Sequence, residues 1–140
     1  MARYQKRISG PLLDRVDVFV EVPPVEYEKL VEPDMAEASE HARKRVNQAR
    51  ETQRKRFQDQ GFLSNSEMGP AEVWKSCPLD DSAKGLLQAA TQKLSLSARA
   101  FHRILKVSRT IADLAGAEKI TTDHVSEAIQ FRSLDRQLWG

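Results

Sequence analysis

The feature that most constrains the fold of this chain is the apolar periodicity between residues 98 and 115. Small or apolar side chains recur there at the i, i+3, i+4, i+7 spacing of one helix face: Phe101, Ile104, Leu105, Ser108, Ile111, Ala112 and Ala115. Ser95 or Ser97 can cap the start of this helix, and Gly116 can end it in a left-handed conformation. The pattern predicts a helix that buries one face against other helices.

Three further segments have helical signals. Asp34 and Glu37 form a capping-box pattern, which predicts a long surface helix to about residue 58. Acidic caps at 80–81 and threonine caps at 121–122 predict shorter helices to about residues 93 and 137. The segment between the first two of these helices is predicted to be a loop with a short turn, in which Trp74 packs inward. With 140 residues, the chain is large enough for one domain with a single core.

Residues 16–22 have a different pattern. The run Val-Asp-Val-Phe-Val-Glu-Val alternates with a period of two and is stopped by two prolines, which predicts a β-strand. Since no other segment has this periodicity, the strand would have no partner for its backbone groups. We therefore predict an all-α fold of four helices behind an orphan strand, cut from a larger protein, with residues 1 to about 25 poorly ordered.

Several classes of protein are excluded by what the sequence lacks. It has no GxxxxGK[ST] loop to wrap phosphates, no HExxH or GxSxG motif and no cluster of Cys and His, so no metal site is expected. Its one cysteine, Cys77, cannot form an internal disulfide. No stretch approaches the ~20 apolar residues of a membrane-spanning helix, and no signal peptide is evident. We expect a cytoplasmic protein without membrane contact that is not a complete enzyme by itself.

A basic face is predicted on the third helix. Arg99, Arg103 and Lys106 lie at i, i+4 and i+7, opposite the apolar face. A guanidinium offers a planar set of donors that suits phosphate oxygens, although a solvated surface would have the same pattern. Near the N-terminus, Arg15 lies between Asp14 and Asp17, which by itself indicates a surface ion-pair cluster.

Positive charge is concentrated on the first predicted helix. Its cations are Arg43, Lys44, Arg45, Arg50, Arg54, Lys55 and Arg56. Such a helix can bind DNA phosphates without sequence preference, and Arg43, Arg50 and Arg54 are the candidate contacts. The alternative is a solvated face that pairs with the acidic segment before it or with a neighbouring subunit.

Two segments carry a family resemblance. RYQKRISGPLLDRVDVFVEVPPVEYEKL resembles the end of the AAA+ core of the magnesium-chelatase-like family, in its YifB/ComM group, and LSLSARAFHRILKVSRTIADLAGAEKITTDHVSEAIQFRSLDRQ resembles the C-terminal helical lid of that family. Together they cover most of the chain at its two ends. The resemblance implies that residues 1–25 end the AAA+ core and that residues 26–140 form the lid domain.

The resemblance also implies roles for single residues. Arg15, in the Leu-Leu-Asp-Arg motif, matches the arginine finger that reaches the γ-phosphate in a neighbouring subunit, and Arg99 matches the sensor-2 arginine that contacts the nucleotide. Arg103, one helical turn after Arg99, is a second candidate residue for binding the nucleotide. The family binds ATP and Mg²⁺ through Walker residues that this chain lacks, so we expect no ATPase activity from the chain alone. The resemblance further implies a homo-oligomeric ring, with a hexamer as the expected form, whereas the isolated chain is expected to be a monomer.

Three functions are compatible with this sequence. The resemblance implies an ATP-driven ring that remodels DNA in recombination or natural transformation. The related chelatase subunits instead drive the insertion of magnesium into a porphyrin through partner proteins. A freestanding helical module that binds DNA or protein is the third possibility, and the orphan strand argues against it.

Overall fold

The computed structural model describes residues 15–24 and 38–139, with side chains to residue 132, and within these residues the fold is all-α, as predicted. Its helices are α1 (Ser39–Phe57), α2 (Pro70–Ser76), α3 (Asp81–Lys93), α4 (Ala98–Leu114) and α5 (Thr122–Trp139). A 3-10 turn, Asn65–Glu67, lies between α1 and α2. No helix in this described part is long and apolar enough to cross a membrane.

Helix α4 lies at the centre of the domain. It packs against α1, α2, α5 and the 3-10 turn, while α3 packs against α5. Its predicted apolar face is buried at Ile104, Leu105, Ser108 and Ala112. Side chains from the other helices and their connections complete the core: Phe57, Met68, Val73, Cys77, Ala83, Leu87, Ile120, Val125 and Ala128. Removal of this apolar surface from water is the main stabilising contribution to the fold.

The ends of α3 and α4 are set by the predicted caps. The Ser97 Oγ accepts a hydrogen bond from the Ala100 N–H at 3.1 Å, and the Asp80 carboxylate accepts one from the Ala83 N–H at 2.7 Å. Gly116 has a φ of +68°, so it ends α4 in the left-handed conformation that glycine tolerates. The Ala117 N–H then donates to the Ala112 carbonyl at 2.8 Å, which completes a Schellman motif.

Helix α1 begins later than the sequence predicts. Its N-cap is Ala38, whose φ of −60° and ψ of 135° are extended, so the helix cannot run back through this residue toward Asp34. Asp34 and Glu37 lie outside the described residues. The buried residues of α1 are Ala49, Gln53 and Phe57, all in its second half, which agrees with the predicted surface helix.

The segment before α3 contains a helix, α2, where the sequence predicts a loop with a short turn. Pro70 suits the first position of α2 because its missing N–H needs no partner there. Trp74 does not pack inward, and its exposed fraction is 64%. Adjacent residues of a helix point about 100° apart, and the inward position is taken by Val73, which is fully buried.

The predicted strand over residues 16–22 is not formed. Residues 16–24 have no assigned secondary structure, and the valines of the alternating pattern are exposed, from 38% at Val16 to 83% at Val22. The period-2 pattern needs a neighbouring strand to become a ladder, and these residues lie against helices instead. Residues 1–14, which belong to the segment that the sequence predicts to be poorly ordered, lie outside the described residues.

Candidate functional site

Arg99 lies in the first turn of α4, two residues after the Ser97 cap, and is exposed. The first N–H groups of a helix and its dipole favour negative charge at this end. Helix α4 has 17 residues, so its dipole is fully developed. An exposed guanidinium at this position is suited to contact a phosphate oxygen.

Arg103, one helical turn after Arg99, contacts protein instead of facing open solvent. Its Nε lies 3.1 Å from the Oδ1 of Asp17, and its side chain is only 16% exposed. Its Nη1 also lies 3.5 Å from the Val16 carbonyl oxygen. The structure therefore joins a predicted cofactor-binding residue to the segment that contains Arg15.

This N-terminal segment, residues 15–24, is attached to α5 as well. The Arg132 Nη1 donates to the Val16 carbonyl at 3.0 Å, and the Phe19 N–H donates to the Phe131 carbonyl at 3.0 Å. Arg15 is exposed at the beginning of the segment, next to the first of these attachments. Arg15 and Arg99 thus both connect to α4, one through the N-terminal segment and the other directly.

Lys106, the third cation of the predicted basic face, supports the 3-10 turn. Its Nζ donates to the Ser66 carbonyl at 2.9 Å. A cavity of about 400 Å³ lies between α4 and the N-terminal segment, and Arg103, Lys106, Thr110 and Phe131 are among its lining residues. Arg103 and Lys106 therefore line the same cavity but contact different parts of the molecule.

The cations of α1 divide into two groups. The α1 basic surface consists of exposed side chains: Arg43, Lys44, Arg45, Arg50, Arg54 and Lys55. Arg54 also forms an exposed ion pair with Glu51 at 3.4 Å. Arg56 does not belong to this surface, because its side chain is 19% exposed and pairs with Asp113 of α4. The prediction that groups Arg56 with the exposed cations of this helix is wrong.

A buried polar network centred on Asp113 has no counterpart in the sequence analysis. Asp113 is 4% exposed, and its carboxylate accepts hydrogen bonds from both Nη atoms of Arg56, from the Asn65 Nδ2 at 2.8 Å and from the Arg109 Nε at 3.1 Å. These four donors use the acceptor capacity of one carboxylate. The network therefore joins α1 and the 3-10 turn to α4 and leaves Asp113 no further capacity for a ligand.

Arg109 extends this network to the loop after α4. It is 1% exposed, its Nη1 donates to the Glu118 carbonyl at 2.7 Å, and its Nη2 donates to the Ala117 carbonyl. Burial lowers the pKa of Arg109, and the charge of Asp113 opposes this change. Burial would raise the pKa of Asp113, but the hydrogen bonds from Arg56 and Asn65 and the two arginine charges outweigh it and lower that pKa.

One signal in the sequence could have revealed this pair. Arg109 and Asp113 are separated by four residues and lie within the apolar face of α4, beside Leu105 and Ala112. Charged residues at buried positions of a helix are rarely tolerated unless they are paired. An Arg and an Asp four residues apart on a buried face therefore indicate an internal ion pair.

Cys77 has the properties of a packed thiol. It is 5% exposed, and its Sγ lies 3.8 Å from the Leu105 carbonyl oxygen. Burial raises the pKa of the Cys77 thiol to about 11. Within the described residues, no group of three or more His, Cys, Asp or Glu side chains could hold a metal ion.

Comparison with known proteins gives a consistent set of matches. Residues 36–132 match the family described as magnesium chelatase, subunit ChlI C-terminal, and residues 1–30 match magnesium chelatase, subunit ChlI. The chain is 42% identical over 137 residues to the competence protein ComM of Haemophilus influenzae and 40% identical over 139 residues to the uncharacterized protein YifB of Escherichia coli. Each alignment covers 97% of this chain and 26% of the relative, so the chain spans about a quarter of their length.

Proposed function

Because the chain belongs to the magnesium-chelatase ChlI C-terminal family, we propose that it forms the helical lid and the end of the core of an AAA+ ATPase. In this proposal residues 1–25 belong to the core and residues 26–140 to the lid. Arg15 acts as an arginine finger and Arg99 as the sensor-2 arginine. The subunits form a homo-oligomeric ring in which each Arg15 faces the nucleotide of its neighbour.

The observation that carries this proposal is the match of residues 36–132 and 1–30 to the two magnesium chelatase families, and the connection of both arginines to α4 is compatible with it. Arg99 is exposed at the start of the helix, and the Asp17 carboxylate, two residues after Arg15, pairs with Arg103 one turn further along. A head-to-tail interface between ring subunits presents one surface of each subunit to a different surface of its neighbour, so a finger that acts across it has to be exposed. This arrangement supports the assignment of Arg15 and Arg99 to one catalytic cycle.

Arginine suits both roles for chemical reasons. Its guanidinium stays charged near neutral pH and presents donors in a planar arrangement that matches phosphate oxygens. Negative charge on the transferred phosphoryl group is stabilised by such a group in the transition state, and loss of an arginine finger lowers the rate by roughly 10³ to 10⁵ in well-studied systems. Arg15 would supply this stabilisation across the subunit interface.

ATP and Mg²⁺ fit this chain only in part. The exposed Arg99 beside the N–H groups of α4 is a suitable phosphate contact. The sequence has no GxxxxGK[ST] loop, so in our proposal the Walker residues that hold ATP and Mg²⁺ are supplied outside these 140 residues. The isolated chain should accordingly show no hydrolysis that follows the protein peak through purification.

A chimeric protein tests the proposal. This chain replaces the matching quarter of the H. influenzae relative, and ATP hydrolysis is measured for the chimera with Arg15→Ala, Arg99→Ala or the control Lys93→Ala on the exposed side of α3. We expect losses of about 10³-fold or more for Arg15→Ala and about 10²-fold for Arg99→Ala. Lys93→Ala should keep the rate of the chimera.

The outcomes of this experiment are distinct. Unchanged hydrolysis in both arginine variants, measured on a chimera as active as the intact relative, would remove the proposed roles. Mixed rings of Arg99→Ala subunits and subunits without the Walker lysine then show whether Arg99 contacts the nucleotide of its own subunit or that of its neighbour. Activity in the mixture is expected if Arg99 acts across the interface, because a site with the Walker lysine of one subunit and the Arg99 of its neighbour is then complete. No activity is expected if Arg99 acts within its own subunit, because every site then has one defect.

We propose DNA as the material on which the ring acts. The name of one relative, competence protein ComM, and the α1 basic surface both support this choice. Cations on one exposed helix release counterions when they meet DNA phosphates, so binding should be salt-dependent and insensitive to sequence. Arg43, Arg50 and Arg54 are the proposed contacts.

Fluorescence anisotropy with labelled duplex DNA tests this surface. The triple variant Arg43→Gln, Arg50→Gln, Arg54→Gln should reduce the slope of log affinity against log salt by about 0.9 for each phosphate that the protein no longer neutralises. A matched triple variant, with Lys84, Lys93 and Lys119 changed to Gln, removes the same charge elsewhere on the exposed surface. Equal slopes for the two triple variants would rule out a specific role for α1.

The family description favours a second candidate function, because it names magnesium chelatase. In that case the ring would drive the insertion of magnesium, as substrate, into a porphyrin through partner proteins. Stimulation of ATP hydrolysis by forked DNA supports the first candidate. Hydrolysis that is indifferent to DNA and depends on a chelatase partner supports the second.

A further inference from the structure

We propose that Arg103 is a positioning residue for Arg15 and does not bind the nucleotide. It holds Asp17, and with Arg132 it fixes the backbone from which the Arg15 side chain extends. This inference rests on the proposed function of Arg15 as an arginine finger. Arg103 is thereby assigned a role other than the nucleotide binding that the sequence predicts for it.

The contacts of Arg103 support this role. Its Nε pairs with Asp17 at 3.1 Å, its side chain is 16% exposed, and the Asp17 side chain is 55% exposed. A phosphate bound by the Arg103 guanidinium would lie beside the Asp17 carboxylate, and the two negative charges would repel each other. The fork of donors is therefore directed to the N-terminal segment.

Three attachments lie directly after Arg15 in the chain. The Val16 carbonyl accepts from Arg132 at 3.0 Å, Asp17 pairs with Arg103, and the Phe19 N–H donates to the Phe131 carbonyl at 3.0 Å. Consecutive Cα atoms are about 3.8 Å apart. The residue that follows Arg15 is thus held by a hydrogen bond, and this restrains the position of the Arg15 Cα from which the side chain extends.

The same helix carries the other proposed catalytic arginine. Arg99 and Arg103 are four residues apart on α4, about 6 Å along the helix axis. A movement of α4 caused by a nucleotide at Arg99 is therefore transmitted through Asp17 to Arg15. The pair of Arg103 and Asp17 therefore couples the position of the finger to the nucleotide that Arg99 contacts.

A charge-swap experiment separates this role from nucleotide binding. In the same chimera with the H. influenzae relative, hydrolysis is measured for Asp17→Arg, for Arg103→Asp and for the two changes together. Displacement of Arg15 by about 1 Å should lower the rate by about 10²-fold in each single variant. The double variant restores an ion pair of opposite polarity and should recover to within about threefold of the parent chimera.

The charge-swap experiment has one control variant and two outcomes that would contradict the role of Arg103. Glu21→Arg makes the same charge change at an exposed position of the N-terminal segment and should leave the rate unchanged. A double variant that stays as inactive as Arg103→Asp, or an Asp17→Arg variant with full activity, would overturn the inference. If Arg15→Ala is fully active, the proposed finger itself is wrong, which is a different result from either of these.

A second measurement needs no activity. Hydrogen exchange of the Phe19 amide is followed by NMR in the 140-residue chain, with Asp17→Asn and Arg103→Gln as conservative variants. Both variants should increase Phe19 exchange by about tenfold or more, because the segment opens more often once the ion pair is removed, while amides in the core of α4 stay protected. Unchanged exchange at Phe19 would show that Arg103 does not hold the segment.

Discussion

Arg56 of α1 and Asp113 of α4 form a bidentate ion pair between residues 57 positions apart in the sequence. The carboxylate is fully buried, and the guanidinium is 19% exposed. Each of the two residues lies immediately before the last residue of its helix. The pair therefore joins the last turns of α1 and α4.

Arg56→Ala should destabilise the domain by about 3 to 5 kcal/mol, because it leaves the buried Asp113 carboxylate without two of its donors. Arg54→Ala is the matched control, since Arg54 lies on the same helix and its side chain is 64% exposed. Its effect should stay within about 0.5 kcal/mol. Urea unfolding followed by circular dichroism measures both changes, and equal effects would contradict a special role for Arg56.

Asp113 should contribute an acid-sensitive part of the stability. Its pKa is lowered in the folded state, so the contribution of the carboxylate is complete above its unfolded pKa of about 3.9 and is lost as the pH falls through the lower folded value. The difference in unfolding free energy between the wild type and Asp113→Asn should be constant near pH 7 and narrow below about pH 4. Asp123→Asn, at an exposed position of α5, is the control. A difference for Asp113→Asn that is independent of pH would show that the charge of Asp113 does not contribute to stability.

Cys77 should make the stability sensitive to alkaline pH. Burial raises its pKa from 9.0 to about 11, so the folded state binds the thiol proton more tightly than the unfolded state does. The resulting stabilisation is complete below about pH 9 and is lost as the pH rises toward 11, by about 2 to 3 kcal/mol in total. Comparison of the pH slopes of the wild type and Cys77→Ala over this range measures the effect, and identical slopes would contradict it.

Replacement of Gly116 and of Gly85 by alanine should change the free energy of unfolding in opposite directions. Gly116 has a φ of +68°, so Gly116→Ala strains the backbone and should cost about 1 to 2 kcal/mol, although a Cβ there meets no atom within 4 Å. Gly85 lies within α3, where a Cβ also meets nothing within 4 Å, so Gly85→Ala should gain about 0.5 to 1 kcal/mol. Thermal unfolding compares the two variants, and a shift in the same direction for both would contradict the backbone argument.

The sequence is most informative where local chemistry decides the structure. Ser97, Asp80 and Gly116 begin or end helices through contacts with residues close to them in the chain, so their roles can be predicted from spacing. The apolar face of α4 is equally local, because helix geometry alone places its members together. These features are sufficient to predict α3, α4 and the core that they bury.

The sequence is least informative where contacts join distant segments. The alternating pattern over 16–22 indicates a strand only if a second strand is available, and these residues contact α4 and α5 instead. Arg56 resembles a surface cation in the sequence because nothing near it reveals Asp113. The proposed catalytic roles of Arg15 and Arg99 come from family resemblance, since neither exposure nor helix position distinguishes a finger from an ordinary surface arginine.

The distribution of buried residues along α1 has a mechanical consequence. Its buried residues begin at Ala49, so the turns from Ser39 to Gln48, about 15 Å of helix, contribute no buried side chain to the core that the structure describes. A tilt of about 10° at the anchored end would displace the tip by roughly 3 Å. A small rotation of α1 near Arg56 would therefore become a larger displacement at Arg43.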